Sequence, residues 1–166
     1  MKFQELRKGL EHIPLKYREA LSEFLAFLKD KLRENLISVV VFGSVARGTF
    51  KEHSDVDLLV VSRNFPKKLV DRIDLFVDKT FEISMKYGIN ISIIPLKIDE
   101  AQSTQPIYLD MAYEGIILYD RDNFIEKKLN DLRKKLEKMG AERVPYKRGY
   151  FWKLKKKIEV GEVIKI

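Results

Sequence analysis

Two short runs of apolar and β-branched residues constrain the fold of this chain more than any other feature. They are LISVVVFG, residues 36–43, and DVDLLVVS, residues 55–62. Runs of this length and composition are typical of largely buried strands. Residues 14–34 precede them with apolar side chains at three- and four-residue intervals, which predicts an amphipathic helix. The chain is therefore expected to build a sheet with helices packed on it.

The rest of the chain continues to alternate between helical and extended patterns. Helical spacing is predicted over residues 65–88, 104–115 and 121–140, and strands over residues 89–96 and 116–120. This alternation predicts an α+β, or mixed α/β, fold with a short mixed sheet and helices covering at least one of its faces. We expect one domain over residues 14–120, with residues 121–166 as a basic helical and strand-like extension packed on it.

Composition limits the kinds of function that need to be considered. The chain has 166 residues, of which 45% are hydrophobic, as expected for one globular domain. No run approaches 18 apolar residues, and the start MKFQELRKGLEH lacks the apolar centre of a signal peptide, so we expect a cytoplasmic protein without membrane contact. The chain has no cysteine and only two histidines, so we expect any bound metal to be a hard cation with oxygen ligands.

The positive charge is concentrated in the C-terminal quarter. Residues 121–166 contain 15 lysines and arginines against 7 aspartates and glutamates. Such a segment can attract RNA or an acidic protein, and Tyr150, Phe151 and Trp152 can stack on bases. The simpler interpretation is a solvated helix face followed by aromatic residues that pack on the domain. The sequence leaves both open.

Two carboxylates stand at the start of the second apolar run. Asp55 and Asp57 are two positions apart, so their side chains point to the same side of a strand. Like charges held together are unfavourable unless a cation lies between them, and Mg²⁺ is commonly bound by one or two carboxylates and nucleotide phosphates. At the end of the first run, Gly43 allows close backbone approach to a ligand and Ser44 offers a hydroxyl group.

Two other motifs fail on residues that they require. GSVARGTF has the glycine spacing of a P-loop, but Thr49 and Phe50 occupy the positions of its lysine and hydroxyl residue. Asp55 and Asp57 resemble the start of an EF-hand loop, but Leu59 and Val60 replace its third ligand and its glycine.

The complete arrangement resembles the signature of the DNA polymerase β superfamily, in the small form called minimal nucleotidyltransferases. It consists of Gly43-Ser44, ten intervening residues that include ARG at 46–48, and then Asp55-Val56-Asp57. YEGIILYD, residues 113–120, resembles the segment that closes that domain. The resemblance covers about residues 14–120 and implies the nucleotidyltransferase fold.

The resemblance implies transfer of a nucleoside monophosphate, AMP from ATP, to an acceptor hydroxyl group, with pyrophosphate leaving. Two Mg²⁺ ions would be bound by Asp55 and Asp57, with the triphosphate beside Gly43 and Ser44. Positive charges on the same loop would neutralise the phosphates; the candidates are Arg47 and Lys51.

One position departs from the superfamily pattern, which places a third carboxylate on a later strand. The corresponding polar residues here are Asn90 and Ser92. Asn90 is the candidate equivalent, because an amide oxygen can bind Mg²⁺ although it cannot act as a base. Loss of a general base typically slows a reaction about 10²- to 10⁴-fold.

The acceptor is inferred by family analogy. Minimal nucleotidyltransferases commonly pair with a small helical protein of the HEPN type in toxin–antitoxin modules, where they modify a hydroxyl group of the toxin with AMP. Transfer to RNA and a nucleotide-binding module with weak or no catalysis are the alternatives. A homodimer is also compatible with the sequence.

Overall fold

A five-stranded mixed sheet forms the centre of the computed structural model, which describes residues 3–147 and 149–155. The strand order is β1-β5-β2-β3-β4. The pairs β1–β5 and β3–β4 are parallel, whereas β5–β2 and β2–β3 are antiparallel. The strand bounds are Arg7–Lys8 for β1, Leu36–Phe42 for β2, Val56–Ser62 for β3, Ile91–Lys97 for β4 and Ile116–Asp120 for β5.

Helices cover both faces of this sheet. Their bounds are Leu15–Leu32 for α1, Gly43–Arg47 for α2, Leu69–Asp74 for α3, Val77–Tyr87 for α4, Ile98–Gln102 for α5, Ile107–Glu114 for α6 and Phe124–Met139 for α7. Side chains of α1 and α4 share one apolar cluster with the sheet, and side chains of α6 and α7 share the other. This confirms the predicted mixed α/β fold and adds the second covered face.

Strands β2 and β3 lie in the middle of both clusters. Val41 and Leu58 belong to the cluster under α1, whereas Val40 and Leu59 belong to the cluster under α6 and α7. All four side chains are completely buried. Strands buried on both faces need apolar residues at nearly every position, which explains why the sequence runs show no regular alternation with polar residues.

The basic C-terminal region packs on the sheet through α7. The buried side chains of this helix recur at three- and four-residue intervals; they include Ile125, Leu129, Leu132 and Leu136. Asp120 caps the helix, because its carboxylate accepts hydrogen bonds from the backbone N–H groups of Ile125 and Glu126, each at 3.0 Å. A two-stranded hairpin follows, with β6 at Glu142–Tyr146 and β7 at Gly149–Lys153. The rest of the predicted strand-like tail, residues 156–166, lies outside the described residues.

The structure differs from the sequence prediction at three places. The segment 65–88 forms two helices instead of one, because the chain turns between α3 and α4 to bury Phe76 against Phe65, with ring centroids 5.9 Å apart. Strand β1 and helix α5 were not predicted. They contain two and five residues, too few to show a period. Across residues 3–147 and 149–155, no helix has the length and apolar character needed to span a membrane.

Candidate active site

The turn from β2 into α2 lies directly against the second aspartate. Phe42, the last residue of β2, pairs with Asp57 on β3, and Gly43 follows with a φ of 73°. A Cβ atom on Gly43 would lie 2.3 Å from Asp57 Oδ2. Glycine is therefore required here both for the backbone conformation and for space. The carboxylate of Asp57 is held where the α2 backbone begins.

Asp55 and Asp57 act on each other electrostatically. Asp57 is half-buried on β3, and Asp55 is exposed just before the strand. Burial raises the pKa of the Asp57 carboxyl group, the negative charge of Asp55 raises it further, and the positive charge of Arg47 partly opposes the shift. A half-buried carboxylate whose pKa is raised, next to a second carboxylate, fits a hard divalent cation, because the charge of the cation would stabilise the ionised form. No group of three or more His, Cys, Asp or Glu side chains is arranged for a metal within the described ranges.

The loop before Asp55 is fastened to α1. Ser54 closes a turn with Lys51, since its N–H donates to the Lys51 carbonyl at 3.1 Å and its Oγ accepts from the Lys51 N–H at 2.8 Å. The Tyr17 hydroxyl donates to the Ser54 carbonyl at 3.4 Å, and Lys16 Nζ donates to the Glu52 carbonyl at 2.6 Å. These contacts fix the entry to β3, and with it the position of the two aspartates. The Lys51 side chain is exposed.

Strand β4 brings Ser92 beside Asp57. The two residues pair across the parallel strands, and the Val56 N–H donates to the Asn90 carbonyl at 2.9 Å, one step before the strand. The Asn90 side chain accepts a hydrogen bond from Ser84 Oγ at 2.9 Å. The strand ISIIPLK contains no carboxylate. The role of Asn90 in binding a metal stays a prediction, and Ser92 is the polar residue in register with Asp57.

Arg47 is engaged in an ion pair at the far end of α2. Its guanidinium group contacts the Glu114 carboxylate and donates to Thr49 Oγ1 and Tyr150 Oη, both at 3.3 Å. Glu114 is buried at the end of α6, and sequence reasoning did not identify it, because nothing local marks a carboxylate whose partners are distant in the chain. These partners fix the side chain of Arg47, which is therefore not freely solvated. Its positive charge still acts on Asp57.

The aromatic residues of the hairpin divide between packing and exposure. Trp152 Nε1 donates to Asp110 Oδ1 at 3.0 Å and its ring meets that of Tyr113 edge-on at 5.9 Å. Tyr150 contacts Arg47, as described above. Phe151 is 48% exposed. Two of the three aromatic residues of β7 thus fasten the hairpin to the domain.

Comparisons with known proteins agree with this geometry. The family profile described as "Nucleotidyltransferase domain" matches residues 21–165. A Methanocaldococcus jannaschii protein that carries the provisional name of a protein adenylyltransferase is 41% identical over 117 residues, covering 68% of this chain and 78% of the relative. A second protein of that organism with the same provisional name is 37% identical over 76 residues, covering 46% and 69%.

The fold is also that of a solved structure. A crystal structure of a toxin–antitoxin with AMP-PNP matches with a TM-score of 0.50 and 17% identity, covering 70% of this chain and 89% of the other. At this identity the match establishes the fold, which is that of the nucleotidyltransferases predicted from the signature.

Proposed function

Since the chain belongs to the nucleotidyltransferase domain family, we propose that it transfers AMP from ATP to a hydroxyl group of a protein partner. The observation that carries this proposal is the contact between Gly43 and Asp57, which joins the Gly-Ser turn to the carboxylate pair in one site. The 41% identity to a relative named provisionally as a protein adenylyltransferase supports AMP as the group and a protein as the acceptor.

In this proposal Asp55 and Asp57 hold Mg²⁺, and two ions are expected as in the superfamily. Their carboxylate oxygens are the ligands that Mg²⁺ prefers, and a bound cation would stabilise the ionised form of Asp57, whose pKa is raised by burial and by the charge of Asp55. When bound, the ions supply neutralisation of phosphate charge and stabilisation of the attacking and leaving oxygens. Ser92 on β4 and Asn90 just before it are candidate neutral oxygen ligands, because both residues lie next to the strand that carries Asp57.

The Gly43-Ser44 turn would receive the triphosphate. Gly43 has no side chain, so a phosphate can approach the backbone at the point where Asp57 lies. Ser44 is half-buried at the start of α2 and adds a hydroxyl donor. The positive charge of Arg47 acts at longer range through its position at the end of the same helix, and Lys51 can reach the phosphates from its exposed loop.

In the proposed reaction the hydroxyl group of the acceptor is the nucleophile. The hydroxyl oxygen of the acceptor forms a bond to the α-phosphorus of ATP, the bond from that phosphorus to the bridging oxygen breaks, and pyrophosphate leaves with the electron pair. Because β4 contains no carboxylate, the proton of the hydroxyl group passes to water or to a base of the acceptor. The chain then contributes positioning and charge, and a general base is not required from it.

An exposed apolar stripe on α3 and α4 favours a protein as the acceptor. Large apolar residues recur every four positions along α3 and α4, each at least 42% exposed: Leu69, Ile73, Val77, Phe81 and Met85. The stripe borders a groove of about 260 Å³ that includes Ile73, Val77 and Ser92. Ser92 pairs with Asp57, so the groove lies along the strand next to the one that carries this carboxylate. Exposed apolar patches of this kind mark protein-binding surfaces.

We propose a HEPN-type helical protein as this partner, in a cytoplasmic toxin–antitoxin module. The HEPN class is named by analogy with the minimal nucleotidyltransferases, and the fold match to a toxin–antitoxin crystallised with AMP-PNP supports the toxin–antitoxin context. Transfer to RNA is the second candidate, since Phe151 is exposed within the basic C-terminal region.

The test is incubation of the purified protein with Mg²⁺ and each of the four α-labelled NTPs, together with RNA or with a HEPN-type protein from the same genome. We expect label from ATP on the HEPN-type protein. Label on RNA would establish the second candidate. Nucleotide binding without transfer to either acceptor would identify a binding module and contradict the proposed reaction.

A further inference from the structure

A half-enclosed cavity of about 370 Å³ lies between β1, α2, α6 and β6, at the end of α2 opposite to Gly43. Four arginines line it, namely Arg7, Arg47, Arg133 and Arg143, against two glutamates, Glu5 and Glu114. The lining therefore carries two positive charges in excess. Cavities of this volume lie in the range that small ligands occupy.

Glu114 forms ion pairs with two of these arginines. Its carboxylate binds Arg47 through one oxygen and Arg143 Nη1 through the other, the latter at 2.6 Å. Among the described residues Arg7 has no carboxylate partner; its Nη2 donates instead to the carbonyls of Ala46, at 2.7 Å, and of Glu114. One buried carboxylate thus balances only part of the positive charge around it.

Arg143 has donors that nothing in the described part of the chain satisfies. Its side chain is only 9% exposed and stacks between Tyr113 and Tyr150, 4.6 Å and 3.3 Å from the two ring centroids. Its Nε and Nη2 are buried and lack a hydrogen-bond partner among those residues. Unsatisfied buried donors on a charged group are unfavourable, and in native proteins they indicate an ion or water that completes the site.

Burial disfavours the charged forms of two further arginines of the cavity. Burial lowers the pKa of Arg7, which the charge of Glu114 opposes only in part. Burial also lowers the pKa of Arg133, whose Nε donates to the Ala112 carbonyl at 2.5 Å. The charged forms of both side chains are therefore less stabilised than in water, and a bound anion would restore the balance.

From this geometry we infer that the cavity binds a phosphate-class anion, either inorganic phosphate or the phosphates of a nucleotide or of pyrophosphate. Guanidinium groups match phosphate oxygens with two parallel hydrogen bonds, and the excess of two charges matches a doubly charged phosphate. The inference does not rest on the proposed transfer reaction, because Arg7, Arg133 and Arg143 are outside the Gly43 and Asp57 site.

Two residues at the edge of the cavity allow a test that leaves the buried arginines intact. Gln4 and Glu5 are exposed and line the opening. Gln4→Glu adds a negative charge and should weaken phosphate binding about two- to fivefold, whereas Glu5→Gln removes one and should strengthen it by a similar factor. Arg63→Met, at an exposed arginine outside the cavity, is the control and should leave affinity unchanged.

The measurement is calorimetric titration of the full chain with inorganic phosphate and with pyrophosphate, without Mg²⁺ and at fixed ionic strength. Anion binding whose affinity falls in Gln4→Glu and rises in Glu5→Gln supports the site. Arg143→Gln, once circular dichroism shows that it is folded, should reduce the affinity more than tenfold. If ATP competes with inorganic phosphate in the presence of EDTA, the cavity takes the phosphates of a nucleotide. If ATP does not compete, the ligand is free phosphate.

Three results would overturn the inference: no binding of either anion, affinities that the two edge variants do not change, or clearly tighter binding in Asp57→Asn, which removes a charge that would repel an anion bound beside it. The last would place the anion in the proposed transfer site. Unchanged binding in Asp57→Asn while AMP transfer fails keeps the two sites distinct.

Discussion

Gly43 and Asp57 lie so close that a single methyl group cannot fit between them. The added Cβ would be 2.3 Å from Asp57 Oδ2. The turn that begins α2 and the carboxylate on β3 therefore form one unit, and the position of each depends on the other.

Gly43→Ala should damage activity far more than it damages stability. The positive φ of 73° strains alanine by about 1–2 kcal/mol, and the clash also displaces Asp57. Displacement of a reacting group by about 1 Å can cost about 100-fold in rate, which is the effect that we expect on AMP transfer. Activity assays and denaturant unfolding would measure the two effects.

The chain supplies a matched control in Gly48→Ala. Gly48 has a φ of 75°, and a Cβ there would meet nothing within 4 Å. This variant should lose a similar amount of stability and keep its transfer activity. Equal activities for the two variants would show that the Gly43 contact does not position Asp57.

Phe81→Glu should distinguish a protein acceptor from an RNA acceptor. Phe81 is 66% exposed in the apolar stripe on α4, so a charge there should reduce labelling of a HEPN-type partner at least tenfold and leave ATP affinity unchanged. Phe151→Glu, at a 48% exposed position on the hairpin, should have little effect on that partner. Loss of partner labelling only in Phe151→Glu would place the partner on the hairpin and contradict the role of the stripe, whereas RNA labelling that Phe151→Glu abolishes would favour RNA.

Glu114→Ala should be strongly destabilising. Glu114 is buried and pairs with both Arg47 and Arg143, so its removal leaves two guanidinium groups without their carboxylate. Breaking a buried ion pair from one side typically costs about 3–5 kcal/mol. The free energy of unfolding would be measured in urea, with Glu5→Ala, an exposed residue of the same cavity, as the control. A loss no larger than in that control would contradict the structural role of Glu114.

The stability contributed by Glu100 should disappear in acid. Hydrogen bonds from Arg72, at 2.6 and 2.8 Å, lower the pKa of Glu100 from 4.5 to about 2. A carboxyl group whose pKa is lowered in the folded state stabilises the fold above its unfolded pKa, and this contribution is lost as the pH falls from about 4.5 towards 2. Glu100→Gln should therefore be less stable than the parent protein at pH 7, with a difference that shrinks through this range. A difference that stays constant with pH would contradict this assignment.

The sequence predicted the parts of the site that lie within one local segment. Gly43, Ser44, Asp55 and Asp57 are separated by one short helix and one loop, so their spacing already indicated that they meet. The family match confirms the nucleotidyltransferase assignment that this spacing suggested. The roles of the individual site residues stay predictions.

Long-range relationships could not be predicted in the same way. That Ser92 lies beside Asp57 depends on the register of β3 and β4, which the apolar pattern of ISIIPLK does not specify. The pairing of Glu114 with Arg47 and Arg143 joins residues 67 and 29 positions apart. Such contacts depend on how the helices and the hairpin pack, so a single sequence carries no local signal for them.

The most direct test of the central claim is transfer of α-labelled AMP from ATP to a HEPN-type protein, measured with and without Mg²⁺ for the parent protein and for Asp57→Asn. We expect Mg²⁺-dependent labelling that falls on the order of 1000-fold in Asp57→Asn, because the carboxylate that would hold the metal is neutralised. Asp131→Asn, at an exposed aspartate on α7, should retain full labelling. Equal labelling by Asp57→Asn and the parent protein, or label that comes from γ-labelled ATP instead, would contradict the account.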